Sequence, residues 1–176
     1  MKTDEGVVLE FQNSPMPPDE LRAREAFYGC MIWIVNAAPF RSRFHILSPL
    51  PDPASELAKD AVFCEERARW LGKVFWRRSE NPGYETASMF LMRSKTEIAD
   101  EIAALHVGHH LFEWERRRDV WFTAQAPVLF DLGDDVVWAL QRYDDRGLLC
   151  VQRVTKSSFL SLHGGQEVGQ APAQEI

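Results

Sequence analysis

The chain is predicted to be an α/β protein, and three observations predict it. Residues 7–35 read as strand, helix, strand; a Pro-rich break at residues 48–53 is followed by helical periodicity; and three apolar runs after Pro127 are joined by Asp/Gly turns. With 176 residues, 45% of them apolar and 26% charged, the chain is long enough for one domain with a buried core. It has no apolar run of the ~18 residues needed to span a membrane. Met1-Lys-Thr-Asp-Glu-Gly6 leads into no apolar region with a small-residue cleavage site, so the expected location is the cytoplasm. The three cysteines, Cys30, Cys64 and Cys150, are odd in number and far apart, which suits reduced core thiols better than disulfides or zinc knuckles. A net charge of -6 argues against a general nucleic-acid coat and leaves room for a local basic groove.

In Gly6-Val-Val-Leu-Glu10-Phe-Gln12-Asn-Ser14, Val7, Leu9 and Phe11 alternate with Val8, Glu10 and Gln12. The side chains of Glu10 and Gln12 therefore leave one face of a strand together. Pro17 and Pro18 beside Asp19 and Glu20 suit the first turn of a helix that runs to Tyr28 and stops at Gly29. Met31-Ile-Trp-Ile-Val35 reads as a buried strand, so residues 7–35 form a unit that makes parallel neighbours. Residues 40–47 give a weaker strand. Asp52-Pro53 starts a helix, and Leu57, Ala61, Cys64, Ala68, Leu71 and Phe75 recur at steps of four and three, predicting one long amphipathic helix. Residues 77–86 read as a loop turning at Asn81-Pro-Gly83. Ser94-Lys-Thr-Glu97 has capping-box spacing for a helix through Ile98, Ile102 and Leu105. Residues 127–132, 136–143 and 148–154 form an antiparallel meander, Thr155 caps a short helix with Phe159 and Leu162, and residues 164–176 read as a disordered tail.

Side by side, a carboxylate and an amide can hold a hard metal ion and orient a water, although on pattern alone Glu10 and Gln12 are also the polar face of an edge strand. Val8-Leu-Glu10-Phe-Gln12-Asn-Ser14, Arg24-Glu-Ala-Phe-Tyr28 and Met31-Ile-Trp33-Ile-Val35 resemble the competence protein family called CoiA-like. Its members are similar to PD-(D/E)xK nucleases. A second resemblance to that family runs through His110-Leu-Phe-Glu-Trp114, Trp121, Pro127-Val-Leu-Phe-Asp131-Leu-Gly133 and residues 156–160. The resemblance implies a partial restriction-endonuclease-like sheet with its crossover helix over residues 1–48. Helices and a small β-meander then occupy residues 49–163.

Carried over residue by residue, the resemblance implies Glu10 as the metal-binding acid and Gln12 in the position most such nucleases give to lysine. Ser14, Arg24 and Tyr28 become supporting polar residues. The implied chemistry is phosphodiester hydrolysis of DNA with Mg²⁺ or Mn²⁺, in DNA uptake or processing by a bacterium. The family's metal-binding Asp sits on a strand just upstream of the Glu-x-Gln strand. Here that strand is missing, Asp4 falls in a turn, Asn13 replaces a frequent His and Asn36-Ala-Ala replaces an Asp-Gly. The expectation is an amino-truncated, weak or inactive member, with a homodimer or partner chain able to complete the sheet. The competing expectation is a noncatalytic module that binds nucleic acid or protein.

Arg116, Arg117 and Arg118, between Trp114 and Trp121, are the candidate nucleic-acid contacts, since guanidinium groups serve phosphates while indoles stack bases; the indoles can equally fill a core. Arg69, Lys73 and Arg77 share one face of the long helix, a phosphate track or a solvated ion-paired face. His106, His109, His110 and Glu113 fall at helical steps that a helix C-terminus explains without zinc. Asp131, Asp134 and Asp135 are turn residues first. The sequence has no Gly-rich phosphate loop, Gly-x-Ser-x-Gly elbow or His-Glu-x-x-His, which removes several enzyme classes.

Overall fold

A computed structural model describes residues 1–65, 71–83 and 86–164. Alternation makes β1 (Val8–Gln12). Two prolines start α1 (Pro18–Tyr28), where a missing amide hydrogen costs nothing, and Gly29 ends it at a φ of 68° while its N–H donates to Glu25 O. Strand β2 (Met31–Asn36) has five consecutive buried residues because both of its faces and both of its edges are covered. As a crossover helix requires, β1 and β2 run parallel, with Val8 opposite Met31 and Gln12 opposite Val35. A 3-10 turn over Ala38–Arg43 precedes β3 (Phe44–Pro49), so the expected strand over 40–47 begins later than its apolar residues suggest.

The later elements are α2 (Glu56–Asp60), β4 (Ala61–Phe63), β5 (Val74–Arg77), β6 (Arg93–Ser94), α3 (Ala99–Ala104), β7 (His109–Trp114), β8 (Val128–Asp131), β9 (Val136–Arg142), β10 (Leu149–Thr155) and α4 (Lys156–Leu162). They complete a mixed α/β fold with two sheets. The larger sheet has the order β1-β2-β8-β9-β10-β7-β3, in which β1, β2 and β8 are parallel and the remaining pairs antiparallel; the smaller is β4-β5-β6. The large sheet draws strands from both sides of residue 48, since β2 pairs with β8 and β3 with β7. The Pro-rich stretch at residues 48–53 therefore joins parts of one sheet, and the expected division at residue 48 does not separate two sheets. Among the described residues no helix is long and apolar enough to cross a membrane.

Apolar burial falls into three clusters. On one face of the large sheet, Leu21 of α1 and Met16 pack with Trp33, Trp114, Trp121 and Phe130. Leu9, Ile32, Ile34 and Leu129 cover the other face together with Phe159 of α4. Leu111, Tyr143 and Cys150 meet Leu57, Phe63, Phe75 and Ile102 beneath the small sheet. Burial pushes the Cys150 thiol up to about 12, as expected of an inert core thiol, but Cys30 is exposed and does not share that role.

The long helix after residue 52 is not formed. Ser55 caps a single turn by accepting from Ala58 N at 3.2 Å, and the chain becomes extended at Ala61. Ala61, Val62 and Phe63 are all buried, whereas a helix with one apolar stripe would expose part of such a run. Cross-strand pairing decides it: Val62 lies opposite Trp76 and Phe63 opposite Phe75, so β-branched and aromatic residues override a helical spacing. The basic face disappears with the helix. Lys73 closes a 3-10 turn, Arg77 ends β5 on Asp60 at 3.0 Å, and Arg69 lies outside the described residues. Histidines 109 and 110 likewise stand on β7 with Glu113, not on a helix face. The capping box at Ser94 and Glu97, the three-strand meander and the Thr155 cap all form as the spacing predicts.

Candidate functional site

Strand β1 is an edge strand, and its even-numbered residues face α1. Val8 packs against the cluster that contains Leu21, Glu10 meets Arg24, and Gln12 is 7% exposed. The Gln12 amide nitrogen donates to Ser14 O at 2.7 Å and to Ser14 Oγ at 3.1 Å. Its amide oxygen accepts no hydrogen bond from the described residues. Arg24 Nη1 donates to Glu10 Oε1, and Arg24 Nη2 donates to Glu20 Oε1 one helical turn back. One guanidinium thus bridges a strand carboxylate and a helix carboxylate. The hydrogen bond to Glu20 holds Arg24 more firmly protonated than usual; partial burial opposes this and the charges of Glu20 and Glu10 add to it.

Glu25 fixes this arrangement. Its Oε1 accepts from the Trp33 indole N–H at 3.0 Å and from the backbone N–H groups of Gln125 and Ala126, each at 3.0 Å. Trp33 is fully buried, stands beside Glu10 in register on β2, and meets Trp121 edge to face at 5.7 Å. One carboxylate therefore ties α1 to β2 and to the segment leading into β8, which seats the helix so that Arg24 reaches Glu10.

The structure pairs Glu10 with Arg24 and Gln12 with Ser14, and among the described residues no hydrogen bond joins the two pairs. Tyr28 is a full turn beyond Arg24, partly exposed against Phe27 at 5.0 Å, and makes no hydrogen bond to Glu10 or Gln12. Asp4 sits in the turn before β1 and lies beside Gly164. Glu20 and Glu25 were missed as site residues. Glu20 was detectable from its i,i+4 spacing to Arg24, but nothing local announces that Glu25 meets a loop a hundred residues later.

Trp114 and Trp121 are buried, at 8% and 1% exposure, and pack with Phe40, Phe44 and Phe130 or with Trp33. Neither ring is open to a base, which corrects the stacking reading. Arg117 pairs with Asp119 at 2.8 Å and Glu65 at 3.7 Å and covers the Phe122 ring, while Arg118 covers Phe40. Arg116, exposed at a φ of 55°, and Arg118, exposed over Phe40, have no ion pair among the described residues. Of the histidines, His106 and His110 hydrogen-bond the Leu50 and Leu47 carbonyls at 2.8 and 3.1 Å, and His109 meets Gln141 at 3.1 Å. Among the described residues no group of three or more His, Cys, Asp or Glu side chains is placed to hold a metal ion. Asp131 and Asp134 accept from Gly133 N and Val136 N, as turn residues do. No protein-family model, curated protein or solved structure matches the chain.

Proposed function

We propose that the face formed by β1 and α1 is a nuclease-type site of the CoiA-like, PD-(D/E)xK kind, for metal-dependent phosphodiester hydrolysis of DNA in uptake or processing. One observation carries this reading: Glu10 and Gln12 point from a strand parallel to β2 into the face covered by α1, with Arg24 on Glu10. The same residue types on a polar edge facing only water would have supported nothing.

The oxygen donors at hand are the carboxylates of Glu10 and Glu20 and the amide oxygen of Gln12. This hard donor set fits Mg²⁺ or Mn²⁺, which one or two carboxylates hold together with water and substrate phosphate. When bound, such an ion polarises the phosphate and lowers the pKa of an attacking water. Gln12, held by Ser14, orients a water but is too weak a base to take its proton. Arg24 supplies a permanent positive charge for a phosphate oxygen. With no lysine at the position of Gln12, the expected turnover is slow.

The test is incubation of the purified chain with single-stranded and duplex DNA in Mg²⁺ or Mn²⁺. Slow cleavage that disappears in EDTA and in Glu10→Ala is expected. Cleavage that survives Glu10→Ala, or none above blank in either metal, overturns the reading. A second reading, a noncatalytic DNA- or protein-binding module, is favoured by the pairing of Arg24 with Glu10, which already neutralises the acid. It predicts DNA retention without cleavage, weakened by Arg116→Ala. Residues 1–3 already pair with residues 7–9 along the outer edge of β1, Leu9 N donating to Met1 O at 2.7 Å, so a second copy or a partner chain would add beyond Leu9.

A further inference from the structure

We infer that the cleft beside the β9–β10 turn binds a nucleoside monophosphate, its phosphate on Arg142 and Arg146 and its ring in an apolar arm that ends at Trp121. The inference is independent of the nuclease reading, since β9 and β10 stand three and four strands along the sheet from β1. Arg142 closes β9 opposite Leu149 of β10 and two residues after Leu140, so it leaves the sheet on the face that carries Leu140, Phe122 and Trp121. The turn that follows is fixed by Asp144, whose Oδ1 accepts from Arg146 N at 3.1 Å and from Leu148 N at 2.9 Å. Gly147 takes the φ of 77° that this turn needs, and a Cβ there would meet Arg142 Nη1 at 3.4 Å, so the guanidinium lies against the turn.

Two arms of one cleft meet at this turn, with Phe122, Arg142 and Leu149 in the walls of both. The wider arm, about 710 Å³, also takes in Arg146, Cys64 and Leu148; the narrower, about 340 Å³, is lined by Leu140, the segment 124–127 and Trp121. Spaces of this size suit a mononucleotide. Arg142 and Arg146 make no ion pair among the described residues, and the Arg142 side chain's hydrogen bond to Phe122 O is long at 3.5 Å. The acids of the wider arm are engaged: Asp119 and Glu65 face Arg117 at 2.8 and 3.7 Å, and Asp144 caps the turn. In a chain of net charge -6, two guanidiniums left without a carboxylate on one cleft are a place for an anion from outside, and their planar N–H pairs match phosphate oxygens. Burial pushes the Cys64 thiol up while the charges of Arg146 and Lys95 oppose it, which sets Arg146 near the thiol in the wider arm. Trp121 supplies the second observation: it is 1% exposed, and its indole N–H has no acceptor among the described residues. A buried donor without a partner is rare in a folded protein and calls for an acceptor, which the ring nitrogens of a base carry.

Adenosine 5′-monophosphate is the probe, in calorimetric titrations without metal, with inorganic phosphate and adenosine as separate arms. The monophosphate should bind about tenfold more tightly than either part. Arg142→Gln and Arg146→Gln should each weaken it about tenfold, whereas Arg153→Gln, which removes the same charge elsewhere on β10, should change it by less than about twofold. Arg142 and Arg146 are exposed, so their variants keep the fold, and circular dichroism verifies this. In a Cys30→Ser background, which removes the exposed thiol, the monophosphate should slow modification of Cys64 by a thiol reagent as the cleft fills. No binding at about 5 mM, binding no tighter than that of phosphate, or binding indifferent to Arg142→Gln and Arg146→Gln overturns the inference. So does retention of a single-stranded oligonucleotide through these two arginines by a protein that does not take the monophosphate. Monophosphate binding in the expected pattern by a protein that cuts no DNA upholds the cleft and removes the nuclease reading. Cleavage lost in Glu10→Ala, with the monophosphate indifferent to residues 142 and 146, does the reverse.

Discussion

Replacement of Glu25 by Ala tests the anchoring of α1, and its magnitude follows from the three N–H groups left behind. The Trp33 indole N–H is fully buried, and an unsatisfied buried donor costs about 1–3 kcal/mol. The Ala126 N–H is partly buried and loses about 0.5–1.5 kcal/mol, whereas Gln125 is exposed and can turn to water. Together these give a loss of about 1.5–4.5 kcal/mol, which at ~2–4 °C per kcal/mol for a chain of this size lowers Tm by about 3–18 °C. Urea unfolding followed by tryptophan fluorescence should show a lower midpoint at unchanged slope. Glu25→Gln retains an acceptor and should lose about half as much. In a double-mutant cycle with Trp33→Phe, the coupling should be about 1–2 kcal/mol. A loss below about 0.5 kcal/mol for Glu25→Ala, or additivity within that range, would refute the claim that this carboxylate seats the helix.

Two other outcomes are expected. Burial is the main cause that holds His109 and His110 below the ordinary value of 6.5, with the hydrogen bonds to Gln141 and the Leu47 carbonyl opposing it. The unfolded chain therefore binds more protons, so stability is full above pH 6.5 and falls as pH drops through that value toward the depressed ones. Urea midpoints between pH 7 and 5.5 should fall less steeply in a variant carrying both His109→Gln and His110→Gln. Asp60 accepts from Arg77 at 3.0 Å and from Ser79 N at 2.8 Å, which tie α2 to the small sheet. Asp60→Asn should cost about 1–2 kcal/mol after discounting for partial exposure, read from the same unfolding curves.

Wherever a pattern is decided by near neighbours, the sequence was legible. The Asp/Gly turns of the meander, the Ser94–Glu97 box, the Thr155 cap and the Pro-to-Gly span of α1 all rest on residues within a few positions of one another. Residues 57–75 misled because a spacing of three and four describes which positions are apolar, not what they face. Only the pairing of β4 with β5 reveals a strand. At the candidate site, strand alternation correctly set Glu10 and Gln12 on one face. The long-range partners were hidden: Glu25 meets residues 125 and 126, and β2 meets β8. Trp114 and Trp121 show the same limit, since an aromatic among arginines looks alike in sequence whether it stacks on a base or on Phe40.

The pairing of β2 with β8 has a consequence for how the protein is made. Trp33 gains its cross-strand neighbour Val128 only after most of the chain has left the ribosome. Until then the most apolar strand of the molecule has β1 on one side and an open row of peptide groups on the other. Loop closure over that span must precede any reward from the pairing, so docking of the meander should be a late and slow step. During that interval the exposed ribbon is a place for two nascent chains to join, and its rescue depends on how fast the last three strands arrive.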